Sequence, residues 1–93
     1  MPNIEIHGSS EEVSKMLRRQ IFEELFKDKP YVDEMVVTIV PSEVRDVKTF
    51  EQPFFRLLSP DSKEAEEILR ILHEKVPGID IEYLEVRRFI PKQ

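Results

Sequence analysis

Hydrophobic periodicity changes in the same order twice along this 93-residue chain, and that repeated order restricts its folds more than any other feature. In the first half, Ile4 and Ile6 alternate with Asn3, Glu5 and His7, the two-residue period of a half-buried strand. Gly8 and Ser9 end that strand. Ser9 and Glu12 stand at capping-box spacing, which predicts a helix start. Val13, Met16, Leu17, Ile21 and Leu25 then fall on one helical face, with Phe22 and Phe26 beside it, until Pro30 stops the helix. Met35 to Val40 is apolar at nearly every position and is expected to be a strand covered on both faces, ending at Pro41.

The second half repeats the order. Phe54 to Leu58 reads as the third strand, and Ser59-Pro60-Asp61 as a turn with Asp61 as N-cap and Glu64 three residues on. Ala65, Ile68, Leu69, Leu72 and Val76 mark a second amphipathic helix, closed by Pro77-Gly78. Residues 79–89 read as the last strand. Ile79, Ile81 and Tyr83 share one face and Leu84, Val86 and Ile90 the other, a change of parity that suggests a bulge or a change of sheet. Residues 42–52 are polar with scattered apolar positions and read as a long loop that serves as a lid, a rim or an inter-subunit arm. The expected class is α+β, one domain over residues 1–93. Its chain order is β-α-β-β-α-β, as in ferredoxin-like subunits, with both helices on one face of a four-stranded sheet. The uncovered face carries apolar residues of the second strand, so it is expected to meet another subunit.

Composition narrows the function. A chain this short buries a modest core, which makes self-association a reasonable expectation. Without cysteine there are no disulfides, no thiolate catalysis and no cysteine-ligated zinc. A net charge of −5 with intermixed signs argues against a nucleic-acid partner. No apolar stretch reaches membrane-spanning length and no signal peptide is recognisable, so the expectation is a soluble cytoplasmic protein without a membrane partner. A charged content of 35% without Cys or Trp hints at a thermophilic source.

The one unusual reactive group on offer is Pro2. Removal of Met1 before so small a residue leaves a secondary amine at the head of a strand. An α-amino group titrates near about 8, and burial or a neighbouring cation lowers that value. A neutral amine of this kind moves a proton between carbon and oxygen of an enol, or adds to a carbonyl. With Met1 in place the nitrogen is an amide and does neither. The plain alternative is a proline that only stiffens the chain end. His7 and His73 lack metal-ligand spacing, and no metal site is expected. The serines fit caps and turns, and two glycines build no phosphate loop. Glu11-Glu12, Glu23-Glu24 and Glu66-Glu67 read as solvated helix faces. Phe54-Phe55 reads as core or interface, and Arg87-Arg88 as a pair meeting acids across a subunit boundary.

Pro2-Asn3-Ile4-Glu5-Ile6 followed by an amphipathic helix resembles the opening of the tautomerase superfamily, the group of 4-oxalocrotonate tautomerase and macrophage migration inhibitory factor. Lys29-Pro30 and the strand Val36-Val37-Thr38-Ile39-Val40-Pro41 are similar to the lysine-proline and valine-rich strand of the longer members. The resemblance spans nearly the whole chain and rests on element order more than on identities. It implies a homotrimer, a cofactor-free activity, Pro2 as catalytic base, and Lys29 as the contact to a substrate carboxylate. It also places Tyr83 near where a neighbouring subunit presents active-site residues. The superfamily's arginines are missing: Ser9-Ser10-Glu11-Glu12 stands at the start of the first helix and Met35 to Val37 in the second strand. Arg56, Arg87 or Arg88 are the candidates to replace them. These departures fit a bacterial branch that kept the fold and lost or changed the activity. Two expectations follow. One is proton transfer on a small enol or α-keto carboxylate. The other is a non-catalytic oligomeric binding or structural protein.

Overall fold

The short-period segments form strands and the long-period segments form helices, in the order expected. The computed structural model describes residues 2–40 and 53–85. They comprise β1 (Asn3–His7), α1 (Glu11–Gln20), β2 (Val36–Val40), β3 (Phe54–Ser59), α2 (Ser62–Lys75) and β4 (Asp80–Glu85). The strands form one mixed sheet in the order β2-β1-β3-β4. β1 is parallel to β2 and antiparallel to β3, and β3 is parallel to β4. The two strand–helix–strand units therefore lie side by side, joined through the central pair β1 and β3. The loop expected over 42–52 and the parity change beyond residue 85 lie outside the described residues. Among the described residues, no helix is long and apolar enough to cross a membrane.

Register assigns every strand residue to one of two faces, because cross-strand partners point the same way. On one face Ile4 pairs with Leu57 and Ile6 with Phe55, and all four are buried. Over them lie Leu17, Ile21 and Phe26 from the first helical segment, and Ala65, Ile68, Ile71 and Leu72 from α2. Each fully buried aliphatic or aromatic side chain contributes about 1.5–3 kcal/mol. The other face, free of helices, carries Val36, Thr38 and Val40 from β2, Asn3, Glu5 and His7 from β1, Phe54, Arg56 and Leu58 from β3, and Asp80, Glu82 and Leu84 from β4. The expectation of two helices on one sheet face is met. β2 is an edge strand, and within the single chain only one of its faces is covered by helices, with Val36 42% exposed on the other.

The first helix departs from its predicted face in two ways. Gly8, at φ 71°, turns the chain after β1 in a conformation that costs a glycine nothing. The cap then falls on Ser10, whose Oγ accepts from Val13 N–H at 3.2 Å, rather than on Ser9. Ser14, small and buried, takes the contact position against the sheet, and this rotation leaves Val13 41% and Met16 58% exposed. Beyond Gln20 the helix widens into a π turn over Ile21–Leu25, with Phe26 N–H donating to Ile21 C=O at 3.0 Å. The extra residue advances the face by about 100°. Phe26 is thereby fully buried, while Leu25 packs only partly against the core.

The second helix follows its sequence signals closely. Asp61 Oδ1 accepts from Lys63 N–H at 2.9 Å and Glu64 N–H at 3.1 Å. Val76 N–H donates to Leu72 C=O, and Gly78 then reverses the chain at φ 88°. The bonds from Glu64 and Lys63 outweigh the opposing effect of desolvation and hold the Asp61 carboxyl below its usual value. A carboxyl lowered on folding contributes stability that is present above its ordinary value and lost as pH falls through the folded one.

Two outcomes follow from this architecture. Phe26→Ala should cost about 3–5 kcal/mol in urea unfolding and Leu25→Ala clearly less; the reverse ranking would show that the π turn does not set the buried face. Asp61→Asn keeps a capping oxygen without the titration. The wild-type melting temperature should therefore drop more steeply than the variant's below about pH 4, and parallel curves would exclude Asp61 as a source of acid sensitivity.

Candidate functional site

Pro2 sits immediately before β1 with its ring fully buried. Its C=O accepts from Val36 N–H at 2.9 Å, which ties the residue before β1 to the first residue of β2. It shares the parity of Ile4 and Ile6 and so belongs to the helix-covered face.

Lys29 lies in the tight connection after the π turn. Its N–H donates to Phe26 C=O, and its C=O accepts from Val32 N–H. Its half-buried ammonium is 3.3 Å from Glu67 Oε1 on α2. Tyr31, buried and tilted against the Phe26 ring at 6.4 Å, donates its hydroxyl to that same oxygen at 2.6 Å. The Tyr31 bond, aided by Lys29 and opposed by desolvation, lowers the Glu67 carboxyl below its ordinary value. Burial first, and then the bond to Glu67, raise the Tyr31 phenol well above the usual tyrosine range.

Tyr83 is in register with Leu57, which is in register with Ile4. It is therefore level with the start of β1 but two strand spacings away, about 10 Å. Among the described residues its buried hydroxyl has no hydrogen-bond partner. Burial, then the charges of Glu85, Asp61 and Glu66, raise its pKa.

Arg56 is on the opposite face of the sheet from Pro2. It stands in register with Glu5 on one side and Glu82 on the other. Its Nε is 3.0 Å from Glu82 Oε2 and its terminal nitrogen 3.4 Å from Glu5 Oε1. Glu5 Oε1 is also 2.8 Å from His7 Nε2. The His7 ring stacks on Phe54 at 4.5 Å with planes 7° apart, and the guanidinium lies 5.7 Å from the same Phe54 ring. The bond to Glu82 is the first cause that raises the Arg56 pKa.

Among the described residues no hydrogen bond or ion pair joins Pro2, Lys29, Tyr83 and Arg56 to one another. Lys29 and Arg56 each already hold a carboxylate of the chain, so a further carboxylate competes with Glu67 at the one and with Glu5 and Glu82 at the other. Arg87 and Arg88 lie outside the described residues. Glu67 was expected to be a solvated helix residue and is instead a shared acceptor. Neither it nor Tyr31 carried a local signal, because the contact spans 36 positions. The Glu5–Arg56–Glu82 row likewise emerges only from strand register.

No protein-family model matches the sequence, and no curated protein matches it. Solved structures do. A domain of unknown function (DUF1904) from Sebaldella termitidis superposes with TM-score 0.63 at 16% identity, covering 96% of this chain and 90% of that one. A protein of unknown function from Vibrio cholerae superposes equally well, TM-score 0.63 at 8% identity, covering 94% and 79%. A macrophage migration inhibitory factor-like protein from Entamoeba histolytica aligns over 90% and 83% at 18% identity, but with a TM-score of 0.40, too loose to carry an argument. The first two show a shared fold. That fold is an α+β arrangement of two helices on one face of a four-stranded mixed sheet.

Tyr31→Phe removes the shorter of the two bonds to Glu67 and leaves the ring. Denaturant unfolding should show a loss of about 1 kcal/mol, and Lys29→Ala a smaller one. A larger loss from Lys29→Ala would make the ion pair the main tie.

Proposed function

We propose that this chain acts as an assembly of its own copies, built through the open face of the sheet, in a cytoplasmic setting. The observation that carries this reading is the open face itself. Val36 and Leu84, on the two edge strands, are each 42% exposed there; Leu58 stands beside Leu84 in the same cross-strand row, and Val40 and Phe54 lie in a second row beyond Thr38, Glu5, Arg56 and Glu82. A small domain that leaves such residues in water stabilises itself by covering them. Three copies is the number the superfamily resemblance implies. In this reading the protein is a binding or structural unit. It is supported by the sealed Pro2 ring and by the carboxylates that already occupy Lys29 and Arg56.

A second reading is kept for one observation: Pro2 is anchored through its carbonyl at the head of a central strand, in surroundings that exclude water. Once freed of Met1, an amine held there is desolvated. Desolvation disfavours its ammonium form and leaves a neutral base near pH 7. It acts without a cofactor on a small enol or α-keto carboxylate, with Lys29 as the cation for the carboxylate after exchange from Glu67, and Tyr83 or Arg56 as further contacts supplied across a subunit boundary.

Sedimentation and an enol assay separate the two readings. Val36→Lys with Leu84→Lys should dissociate the assembly while leaving the fold intact by circular dichroism. A wild type that sediments as a monomer at all concentrations would sink the first reading. Ketonisation of phenylenolpyruvate is to be measured on protein whose mass confirms loss of Met1. The second reading expects turnover that Pro2→Ala abolishes; equal rates in both proteins exclude Pro2 as the base.

A further inference from the structure

Histidine is the side chain whose charge ordinarily changes between about pH 5 and 8. Among its described residues the open sheet face holds one, His7. It stands in the cross-strand row Val40–His7–Phe54–Asp80, beside the row Thr38–Glu5–Arg56–Glu82. Its Nε2 is 2.8 Å from Glu5 Oε1, and its ring stacks on Phe54. These two neighbours leave the side chain only 12% exposed, although no described helix covers this face.

The charged groups around His7 on this face are Glu5 on its own strand, Arg56 on β3, and Asp80 and Glu82 on β4. β2 adds only Val40 and Thr38. With His7 neutral, three carboxylates stand against one guanidinium, an excess of two negative charges. With His7 protonated the excess is one. Repulsion between two such faces follows the product of their charges, so a proton on each copy lowers it about fourfold.

Two effects on that proton oppose each other as a second copy approaches. The excess carboxylates of the neighbour attract it, and loss of water around the ring repels it. Glu5 and Phe54 have already taken most of the water from the ring, so the second effect has little left to change and the first prevails.

Building on the self-association proposed above, we infer that assembly through the open sheet face takes up a proton at His7 and strengthens as pH falls through the histidine range. The partner is a second copy of this chain. Val36, Leu58 and Leu84 supply the apolar contact, and the charge on His7 sets how strongly the carboxylates oppose it. A proton bound more tightly in the assembly than in the free chain stabilises the assembly toward acid and is lost toward base.

Sedimentation of the full chain at low salt, between about pH 5.8 and about pH 7.5, tests this in a window above the ordinary carboxylate range. The wild-type dissociation midpoint should fall about threefold or more on acidification, and high salt should flatten the response. The chain has two histidines, and His73, exposed on α2, is the control: His73→Gln should leave the response unchanged. His7→Gln should be insensitive to pH, with the midpoint the wild type has at the upper end of the window. His7→Lys should be insensitive at the tighter midpoint of the lower end, a gain that misfolding cannot imitate; thermal melting of each variant confirms the fold. A wild type that is monomeric at every pH and concentration removes both this inference and the reading beneath it. Assembly that ignores pH, that weakens toward acid, or whose response persists in His7→Gln removes this inference alone and leaves self-association through the apolar residues standing.

Discussion

The antiparallel pairing of β1 with β3 is the joint on which the molecule depends. It connects two strand–helix–strand units that otherwise contact one another mainly through their helices. One register sets both faces at once: Ile4 opposite Leu57 and Ile6 opposite Phe55 make the core, and Glu5 opposite Arg56 and His7 opposite Phe54 make the open surface. A slip of one residue would exchange the two sets, burying charges and exposing the core. The core and the charged row are therefore consequences of the same hydrogen-bonded ladder.

The π turn in the first helical segment has a comparable reach. By adding one residue between Ile21 and Phe26 it turns the Phe26 ring inward, and the chain leaves the helix at an angle that lays Tyr31 against that ring. From there the Tyr31 hydroxyl and the Lys29 ammonium converge on Glu67. A local change of helical pitch thus ties the first unit to the second helix.

Charge compensation sets what the cations can do. Lys29 and Glu67 are both half-exposed, a setting in which an ion pair is worth no more than about 1 kcal/mol, so the lysine can exchange partners at small cost. Arg56, exposed to the same extent, has a carboxylate on each side and lies 5.7 Å from the Phe54 ring, so it has more partners to give up than Lys29.

What the sequence determined by itself is local. The order of elements, the alternation of β1, the Asp61 cap, the buried stripe of α2 and the stop at Gly78 all rest on residues within a few positions of one another, where periodicity and capping chemistry act. Pro2 could be singled out for the same reason, from its place beside Met1. The tertiary structure decided whatever depends on which distant segments meet. It moved the first cap from Ser9 to Ser10, inserted the π turn, and left Val13 and Met16 in water in favour of Ser14. It also made Glu67 an acceptor for Lys29 and Tyr31, and placed Arg56 between two carboxylates on the face away from Pro2. The physical reason is common to all of these. A helix face or strand face is visible in the spacing of its own residues, but its rotation and its partners are chosen by packing against side chains dozens of positions away.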